Sequence, residues 1–261
     1  MLTDFQRKIY EFFLGFRLGN LPDTRYKERW ENGLKELESH TQDSFIQGFD
    51  DLEFFKDLSL RTAVSIKFQE KTPDFYYAIV LFSVAREYVK HNTGPLTILE
   101  TGTAKGFSAL LLSRATLLEE KQATIYTLDI VPHEQPRFWN VFGDLNSGKR
   151  TRAELLKDYP IETQRINFLS GDSAETMGQI NTPRIHIAFL DAMHEYVPLR
   201  AEFDFVSSRQ EAGDLVIFDD VMPLKFPGVH KLVEEVEKGQ IYSVQRVASP
   251  RGNTVAIATR Q

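Results

Sequence analysis

The chain contains no cysteine among its 261 residues. This absence excludes disulfide bridges, thiolate metal sites and cysteine nucleophiles. The sequence also lacks a run of roughly 18 uncharged apolar residues, the length that a membrane span requires. Charged residues interrupt the apolar ones near the N-terminus, which is unlike a signal peptide. We therefore expect a cytoplasmic protein without a membrane partner.

An excess of basic residues is missing as well. The 31 Lys and Arg residues are outnumbered by 37 Asp and Glu residues, which gives a formal net charge of −6, and the basic residues are scattered along the chain. Nucleic acids and anionic membranes are recognised by a concentrated positive field. Neither is expected as a partner, and a small molecule is the expected ligand.

Apolar residues recur at helical spacing through the first part of the chain. Phe5, Ile9 and Phe12 begin this pattern. We expect a helical extension over residues 1–72 that acts as a lid over a small-molecule site or as a contact of a possible homodimer. Trp30 is expected in its core or in the dimer contact.

Residues 73–261 alternate between short apolar runs and amphipathic stretches. The predicted strands are Leu96–Leu99, Ala123–Leu128, Ile166–Leu169, Ile185–Leu190, Leu215–Phe218, Ile241–Val247 and Thr254–Thr259. A helix is predicted before the first strand, from about Asp74 to His91. Further helices are predicted after the first five strands, over Phe107–Glu119, Thr151–Tyr159, Ala174–Ile180, Tyr196–Arg209 and Val229–Lys238, and the last two strands would form a hairpin. Such alternation is typical of a parallel sheet covered on both faces. We predict a Rossmann-like, doubly wound α/β domain whose mostly parallel seven-stranded sheet has an antiparallel edge strand.

The segment between the first predicted strand and its helix contains two glycines. It reads ETGTAKGFS from Glu100 to Ser108. Gly102 and Gly106 leave room for a ligand to approach backbone amides and a helix N-terminus. A dinucleotide fingerprint would require glycine at two positions where this chain has alanine and phenylalanine, which disfavours a dehydrogenase. The alternative is a glycine-containing turn that binds nothing.

Acidic residues follow the second and third predicted strands. Asp129 ends the second strand, where an acid can accept hydrogen bonds from both hydroxyls of a ribose. A strand-end aspartate also commonly starts a turn. Asp172 follows the third strand and could cap the helix that begins after it. A cap and a ligand contact are compatible at that position.

Three more carboxylates follow the fourth and fifth predicted strands. Asp191 follows the fourth, and Asp219 and Asp220 end the fifth. Because neighbouring strands lie about 4.8 Å apart, we expect these side chains to converge. A hard divalent cation such as Mg²⁺ would relieve their repulsion; the alternative is a set of helix and turn caps. Consecutive strand residues point to opposite faces, so Asp219 and Asp220 share a metal ion only if the chain turns there.

This series of motifs resembles the class I S-adenosylmethionine (SAM)-dependent methyltransferases. It is most similar to their small-molecule O-methyltransferase branch, which includes macrocin and catechol O-methyltransferases. The first motif of that family is an acidic residue followed by glycine, a short spacer and a second glycine, which Glu100, Gly102 and Gly106 match. The resemblance covers residues 96–258.

The resemblance implies that SAM lies over the glycine loop, with its ribose at Asp129 and its adenine near Asp172. The cofactor-binding residues that it implies are Glu100, Gly102, Thr103, Gly106, Ser108, Asp129, Asp172 and Asp191. It further implies that Asp191, Asp219 and Asp220 bind Mg²⁺.

His194, three residues after Asp191, is the candidate base. A histidine that titrates near neutrality could accept the proton of a substrate hydroxyl. The alternative is a histidine that orients an aspartate, or one at the surface. We predict methyl transfer to a small-molecule hydroxyl with Asp191 and His194 as catalytic residues. The other interpretations are a metal-independent methyltransferase acting on nitrogen or a carboxylate, and a SAM-binding protein without catalysis.

Three segments are predicted to lie outside the site. Residues 149–152, Lys-Arg-Thr-Arg, are expected to form a solvated turn. Residues 132–140, which contain His133 and Trp139, could line a pocket, but a surface loop is the expectation. His186 lies inside an apolar strand and is expected to be a core residue with a hydrogen-bond partner.

Overall fold

A seven-stranded sheet runs through the computed structural model, which describes residues 23–40, 43–47, 49–63 and 72–261. The beginning of the predicted helical pattern, at Phe5, Ile9 and Phe12, lies outside the described residues.

The order of the strands across the sheet is β3-β2-β1-β4-β5-β7-β6. The strands are β1 (Leu96–Thr101), β2 (Ala123–Asp129), β3 (Ile166–Ser170), β4 (Ile187–Leu190), β5 (Leu215–Phe218), β6 (Tyr242–Ala248) and β7 (Thr254–Arg260). The first five are parallel to one another, whereas β7 is antiparallel to both β5 and β6. The predicted Rossmann-like sheet with antiparallel pairing at one edge is confirmed. The strand that reverses direction is β7, which lies between β5 and β6.

Helices cover both faces of the sheet. The described helices are α1 (Asp23–Ser39), α2 (Ser44–Gln47), α3 (Leu52–Thr62), α4 (Tyr76–His91), α5 (Phe107–Leu118), α6 (Asp144–Ser147), α7 (Arg152–Leu155), α8 (Pro160–Thr163), α9 (Ser173–Thr176), α10 (Tyr196–Ser207) and α11 (Pro227–Lys238), with a 3₁₀ turn at Met177–Gln179. Asp74 stabilises the start of α4, because its Oδ1 accepts a hydrogen bond of 3.1 Å from the amide of Tyr76.

Alternating side chains of the strands pack into two cores. On one face, Ile98 and Phe189 lie in a cluster with residues of α4 and α5. On the other face, Leu99 and Phe218 lie in a cluster with residues of α10 and α11. The period of two along each strand, with both faces buried, explains the continuous apolar runs of the sequence.

The described part of the predicted N-terminal extension shares the first of these cores. Leu34 and Leu37 of α1 and Phe55 of α3 belong to the same buried cluster as Ile98 of β1. These helices therefore pack against the sheet domain through α4 and α5. Among the residues that the structure describes, no helix is long and apolar enough to cross a lipid bilayer.

Candidate active site

A cavity of about 920 Å³ opens at the carboxyl ends of the parallel strands. This first cavity is lined by residues that follow β1, β2, β3 and β4, among them Gly102, Asp129, Asp172, Asp191 and His194. Its volume lies in the range of pockets that hold small molecules or cofactors, roughly 300–1,000 Å³. The carboxyl end of a doubly wound sheet is also where such folds bind their ligands.

The two glycines of the loop after β1 allow the chain to pack closely there. Gly102 has a φ of +92°, and a Cβ at this position would lie 2.2 Å from the carbonyl oxygen of Asp191. Gly106 has a φ of +86°, and its Cβ would lie 2.6 Å from Leu156 Cδ1. Because glycine has no side chain, Gly102 and Gly106 allow other segments of the same protein chain to pack closely against the loop. The loop is thereby held against the end of β4, where Gly102 lines the first cavity.

Glu100 lies beneath this loop and is fully buried. Its Oε2 accepts a hydrogen bond from the hydroxyl of Thr127, and its Oε1 is buried without a hydrogen-bond partner. Burial raises the pKa of Glu100 to about 7. The structure does not place Glu100 or Gly106 on the wall of the first cavity, so their contact with a cofactor stays a prediction.

Asp129 lies on the wall of the first cavity and joins two loops. Its Oδ2 accepts hydrogen bonds from the amide of Ala104, at 2.5 Å, and from Arg152 Nη2, at 3.1 Å. Its Oδ1 accepts a hydrogen bond of 2.8 Å from the amide of Val131. A carboxylate offers about four lone-pair sites, so Asp129 retains capacity for one further donor.

The prediction of a solvated turn at residues 149–152 is wrong. Arg152 is fully buried, and its guanidinium donates to the carbonyl oxygens of Ala104 and Val131 as well as to Asp129. A capping box between Thr151 and Glu154 starts the short helix α7, whose first residue is Arg152. That capping box is the sequence signal that could have excluded a solvated turn.

The prediction of a surface loop over residues 132–140 holds for residues 134–136, which are exposed, but not for Trp139. Trp139 is buried, lines the first cavity and donates a hydrogen bond of 2.8 Å from Nε1 to the carbonyl oxygen of Arg150. His133 stacks on Phe168 with a distance of 4.3 Å between ring centroids. The segment therefore contributes an aromatic wall that its irregular sequence does not indicate.

Asp172 lies on the wall of the first cavity and also caps a helix, the two positions that the sequence allows. It follows β3, lines the first cavity, and accepts a hydrogen bond of 3.0 Å from the amide of Ala174 at the start of α9. The prediction of a helix cap is confirmed. His186 is partnered as predicted, since its Nδ1 accepts a hydrogen bond of 3.0 Å from the amide of Thr97.

Of the carboxylates after β4 and β5, Asp191 and Asp220 approach the same imidazole, that of His194. The chain turns at Asp220, which has a φ of +54°, so that Asp219 and Asp220 no longer point to opposite faces of a regular strand. Burial raises the pKa of Asp219 well above its ordinary value, and the charge of Asp191 raises it further. In the part of the chain that the structure describes, no three His, Asp or Glu side chains are arranged to hold a metal ion.

His194 lies between two of these carboxylates. Its Nε2 is 3.2 Å from Asp220 Oδ2 and 3.6 Å from Asp191 Oδ1, and its ring stacks on Phe226 at 4.1 Å between centroids. The carboxylates of Asp191 and Asp220 raise the pKa of His194 to about 9. The imidazole is therefore charged at neutral pH in this arrangement, whereas the sequence led us to expect titration near neutrality.

A second cavity of about 310 Å³ lies between the N-terminal helices and the loop after β1. Gly102 and Asp191 line both cavities, so the two cavities meet at the ends of β1 and β4. Thr103 and Ser108 line only the second cavity of the two. Trp30, expected in the core or a dimer contact, packs against the buried core as predicted and also lies on the wall of the second cavity. This position was missed because helical spacing does not distinguish a cavity wall from a core.

Residues 99–221 match a family model described as a methyltransferase domain. A search of curated proteins gave no match.

Several solved structures have a similar fold. The O-methyltransferase TomG from Streptomyces achromogenes, in complex with SAM, is 14% identical with a TM-score of 0.57; the alignment covers 90% of this chain and 98% of TomG. Cofactor-bound Rv0187 from MTB is 15% identical with a TM-score of 0.57, over 82% of this chain and 91% of that one. CalS11, a TDP-rhamnose 3'-O-methyltransferase, is 16% identical with a TM-score of 0.55, over 90% and 93%. At these identities the likeness establishes the fold.

Proposed function

We propose that the chain is a SAM-dependent methyltransferase that transfers the methyl group of SAM to a hydroxyl oxygen of a small molecule, and the match of residues 99–221 to a methyltransferase domain supports this. One observation carries the proposal: two cavities of unequal size meet at Gly102 and Asp191. The larger cavity suits the cofactor, and the smaller one suits an acceptor whose hydroxyl reaches the shared wall.

SAM would occupy the first cavity. Asp129 and Asp172, at the ends of adjacent strands, offer carboxylate oxygens to the ribose and to the adenine amine, and Trp139 offers an aromatic wall. Glu100, with one unpartnered oxygen beneath the loop, is the proposed partner of the amino group of the methionine moiety. The sulfonium end of this moiety would then face Asp191 and the second cavity.

The acceptor would occupy the second cavity under α1, α3 and α4. Its hydroxyl oxygen attacks the methyl carbon in line with the sulfur, so that a C–O bond forms while the C–S bond breaks and S-adenosylhomocysteine (SAH) leaves. The hydroxyl proton passes to Asp191, which lies beside His194. Burial raises the pKa of Asp191, which makes its carboxylate a stronger base than an exposed one. Positioning of the two reactants accounts for most of the remaining rate increase.

Binding of a divalent cation is a separate part of the proposed function, in addition to the methyl transfer described above. Asp191, Asp219 and Asp220 carry the hard oxygen donors that Mg²⁺ prefers. Their arrangement in the described structure is not that of a metal site, so a cation would require these side chains to rearrange. When bound, the metal would act as a Lewis acid that lowers the pKa of an acceptor hydroxyl. It would compete for these carboxylates with the charged imidazole of His194, which already forms ion pairs with two of them.

The experiment is a measurement of SAH formation with a panel of small hydroxylated acceptors. We expect Asp191→Asn to lower kcat by about a hundredfold or more, since general-base catalysis is worth about 10²–10⁴ in rate. Asp204→Asn, an exposed position on α10, is the control and should leave kcat unchanged. Wild-type turnover by Asp191→Asn would refute the assignment of the base.

The same assay decides between the proposal and its alternatives. Loss of turnover in EDTA, with recovery in Mg²⁺ but not in Asp219→Asn, supports the metal. Turnover that is indifferent to EDTA favours a metal-independent enzyme. Binding of SAH without turnover of any hydroxyl, amine or carboxylate acceptor would favour a SAM-binding protein without catalysis.

A further inference from the structure

Two basic side chains line the second cavity, and neither is neutralised there. Arg29 extends from α1, and Lys105 extends from the loop after β1. Lys105 also lines the first cavity, whereas Arg29 lines only the second of the two. Arg29 and Asp74 are the charged residues that line the second cavity but not the first, and Arg29 is the basic one.

The guanidinium of Arg29 lacks a carboxylate partner among the described residues. Its Nη2 is buried and has no hydrogen-bond partner. Its Cζ lies 5.1 Å from the ring centroid of Tyr26, so the aromatic ring holds the guanidinium at the cavity wall. A buried charged donor without an acceptor is unfavourable, and a ligand that supplies the acceptor removes this cost. Such a donor on a cavity wall is therefore suited to binding.

Lys105 is in a comparable position. Burial lowers the pKa of its ammonium group, and the carboxylates of Asp129 and Asp144 act on it only from a distance that leaves no ion pair in the described structure. Neither basic group therefore forms an ion pair with a described carboxylate, and burial opposes the charge of Lys105.

The carboxylates on the same wall are occupied elsewhere. Asp74 accepts hydrogen bonds of 2.8 Å from both Ser249 Oγ and Asn253 Nδ2 through its Oδ2. Asp191 lies beside His194, at the junction with the first cavity. Neither carboxylate forms an ion pair with Arg29 in the described structure, so its guanidinium faces the second cavity among aromatic rings and can pair with a ligand.

We propose that the acceptor carries an anionic group, a carboxylate or a phosphate, which Arg29 binds with support from Lys105 while the acceptor hydroxyl lies at Asp191. This inference rests on the proposed function, because it assigns the second cavity to the acceptor. A guanidinium offers paired donors that match both anions, and such charge-assisted hydrogen bonds are about twice as strong as neutral ones. Aromatic residues on the same wall, Trp30 among them, would cover an apolar part of the ligand.

The test measures binding to the full-length protein saturated with SAH by titration calorimetry. Two pairs of probes differ mainly in charge: salicylate against salicylamide, and phenyl phosphate against phenol. We expect the anion of at least one pair to bind about tenfold or more tightly than its neutral partner. The pair that shows the larger difference distinguishes a carboxylate site from a phosphate site.

Variants of α1 assign this preference to Arg29. Arg29→Gln should abolish it, Arg29→Lys should retain part of it, and Arg25→Gln, at an exposed position of the same helix, should leave it unchanged. An unaltered SAH affinity in each variant shows that the variant is folded and that the first cavity is intact.

The outcomes separate this inference from the function beneath it. A wild-type protein that fails to bind SAH contradicts the proposed function. Normal SAH binding together with equal affinity for charged and neutral probes, or with no binding of either anion, overturns the anionic acceptor alone. A preference that persists in Arg29→Gln also overturns it.

Discussion

Arg152 is among the largest side chains that the protein buries completely, and its guanidinium connects three parts of the wall of the first cavity. It contacts Asp129 at the end of β2, the carbonyl oxygen of Ala104 in the loop after β1, and that of Val131. A buried ion pair is costly to form, but removal of one partner is costlier because a charge is left alone. The pair therefore joins the loop after β1, where we propose that the cofactor binds, to the end of β2.

Replacement of Arg152 should destabilise the fold and weaken the cofactor site together. We expect Arg152→Met to lower the free energy of unfolding by about 3–5 kcal/mol, because Asp129 is left buried without its cation. Urea denaturation measures the stability, and calorimetry with SAH measures the site. Lys149→Met, at an exposed position three residues earlier, is the control. Equal stability of Arg152→Met and wild type would show that the pair does not stabilise the fold.

Glu202 is a second buried charge beneath the site. Its carboxylate accepts a hydrogen bond of 2.8 Å from the hydroxyl of Thr101 and another from that of Ser173. Burial nevertheless raises the pKa of Glu202 to about 7, from an ordinary value of 4.5. The folded state holds the proton more tightly than the unfolded state does, so stability falls as the pH rises from about 4.5 to about 7.

Glu202→Gln should remove part of that pH dependence. We expect the wild-type free energy of unfolding to fall by roughly 1–3 kcal/mol for this group between pH 4.5 and 7, and the variant to fall by less. Glu100, whose pKa is also raised to about 7 by burial, contributes the same pH dependence of stability to the wild type and to the variant. Urea denaturation across this range makes the comparison, with the exposed Glu175→Gln as control. The same slope in wild type and Glu202→Gln would contradict the prediction.

At the scale of single residues, the sequence predicts where the acidic site residues lie better than it predicts which side chains pair with them. Asp129, Asp172 and Asp191 could be placed because each follows an apolar strand, and parallel strands end at one edge of a sheet. The partner of Asp129 could not, since Arg152 reaches it from a distant segment with no local pattern that marks a buried guanidinium.

At the scale of elements, the regular segments were predictable and the irregular walls of the cavities were not. The two apolar core faces produce periodic patterns, so β2 and α4 lie within a residue or two of their predicted bounds. Residues 132–140 have no such period, and Trp139 is buried by contacts with a segment that follows it. The predicted helix over residues 151–159 is interrupted after α7, and a new short helix begins at Pro160.

The turns before and after β1 contain a matched pair of glycines. Gly94 and Gly102 have φ values of +95° and +92°, but a Cβ would meet neighbouring atoms within 4 Å only at Gly102 of the two. Alanine at Gly94 should cost about 1–2 kcal/mol of stability from the left-handed backbone alone. Alanine at Gly102 should cost a further 1–3 kcal/mol or so, because Asp191 must move.

Thermal and urea denaturation of Gly94→Ala and Gly102→Ala make this comparison. We expect only Gly102→Ala to weaken SAH binding as well, since the displaced Asp191 lines both cavities. Equal losses of stability in the two variants, with unchanged SAH affinity, would show that the loop does not depend on its close approach to β4.

At the scale of the whole molecule, one sheet supports both cavities from the same edge. The strand ends form the first cavity, and the N-terminal helices, which share a core with β1, close the second. The sequence predicts the sheet and a helical cover, because each has its own periodicity. It does not predict that the two cavities meet at Gly102 and Asp191, which depends on how α1 and α3 pack against α4 and α5.

A crystal structure of the full-length protein grown with SAH tests the central claim most directly. The account predicts electron density for SAH in the first cavity, with its ribose at Asp129, its adenine near Asp172 and its sulfur facing Asp191 and the second cavity. Density for SAH at any other place, or a first cavity that stays closed to SAH while calorimetry shows that SAH is bound, would contradict the account.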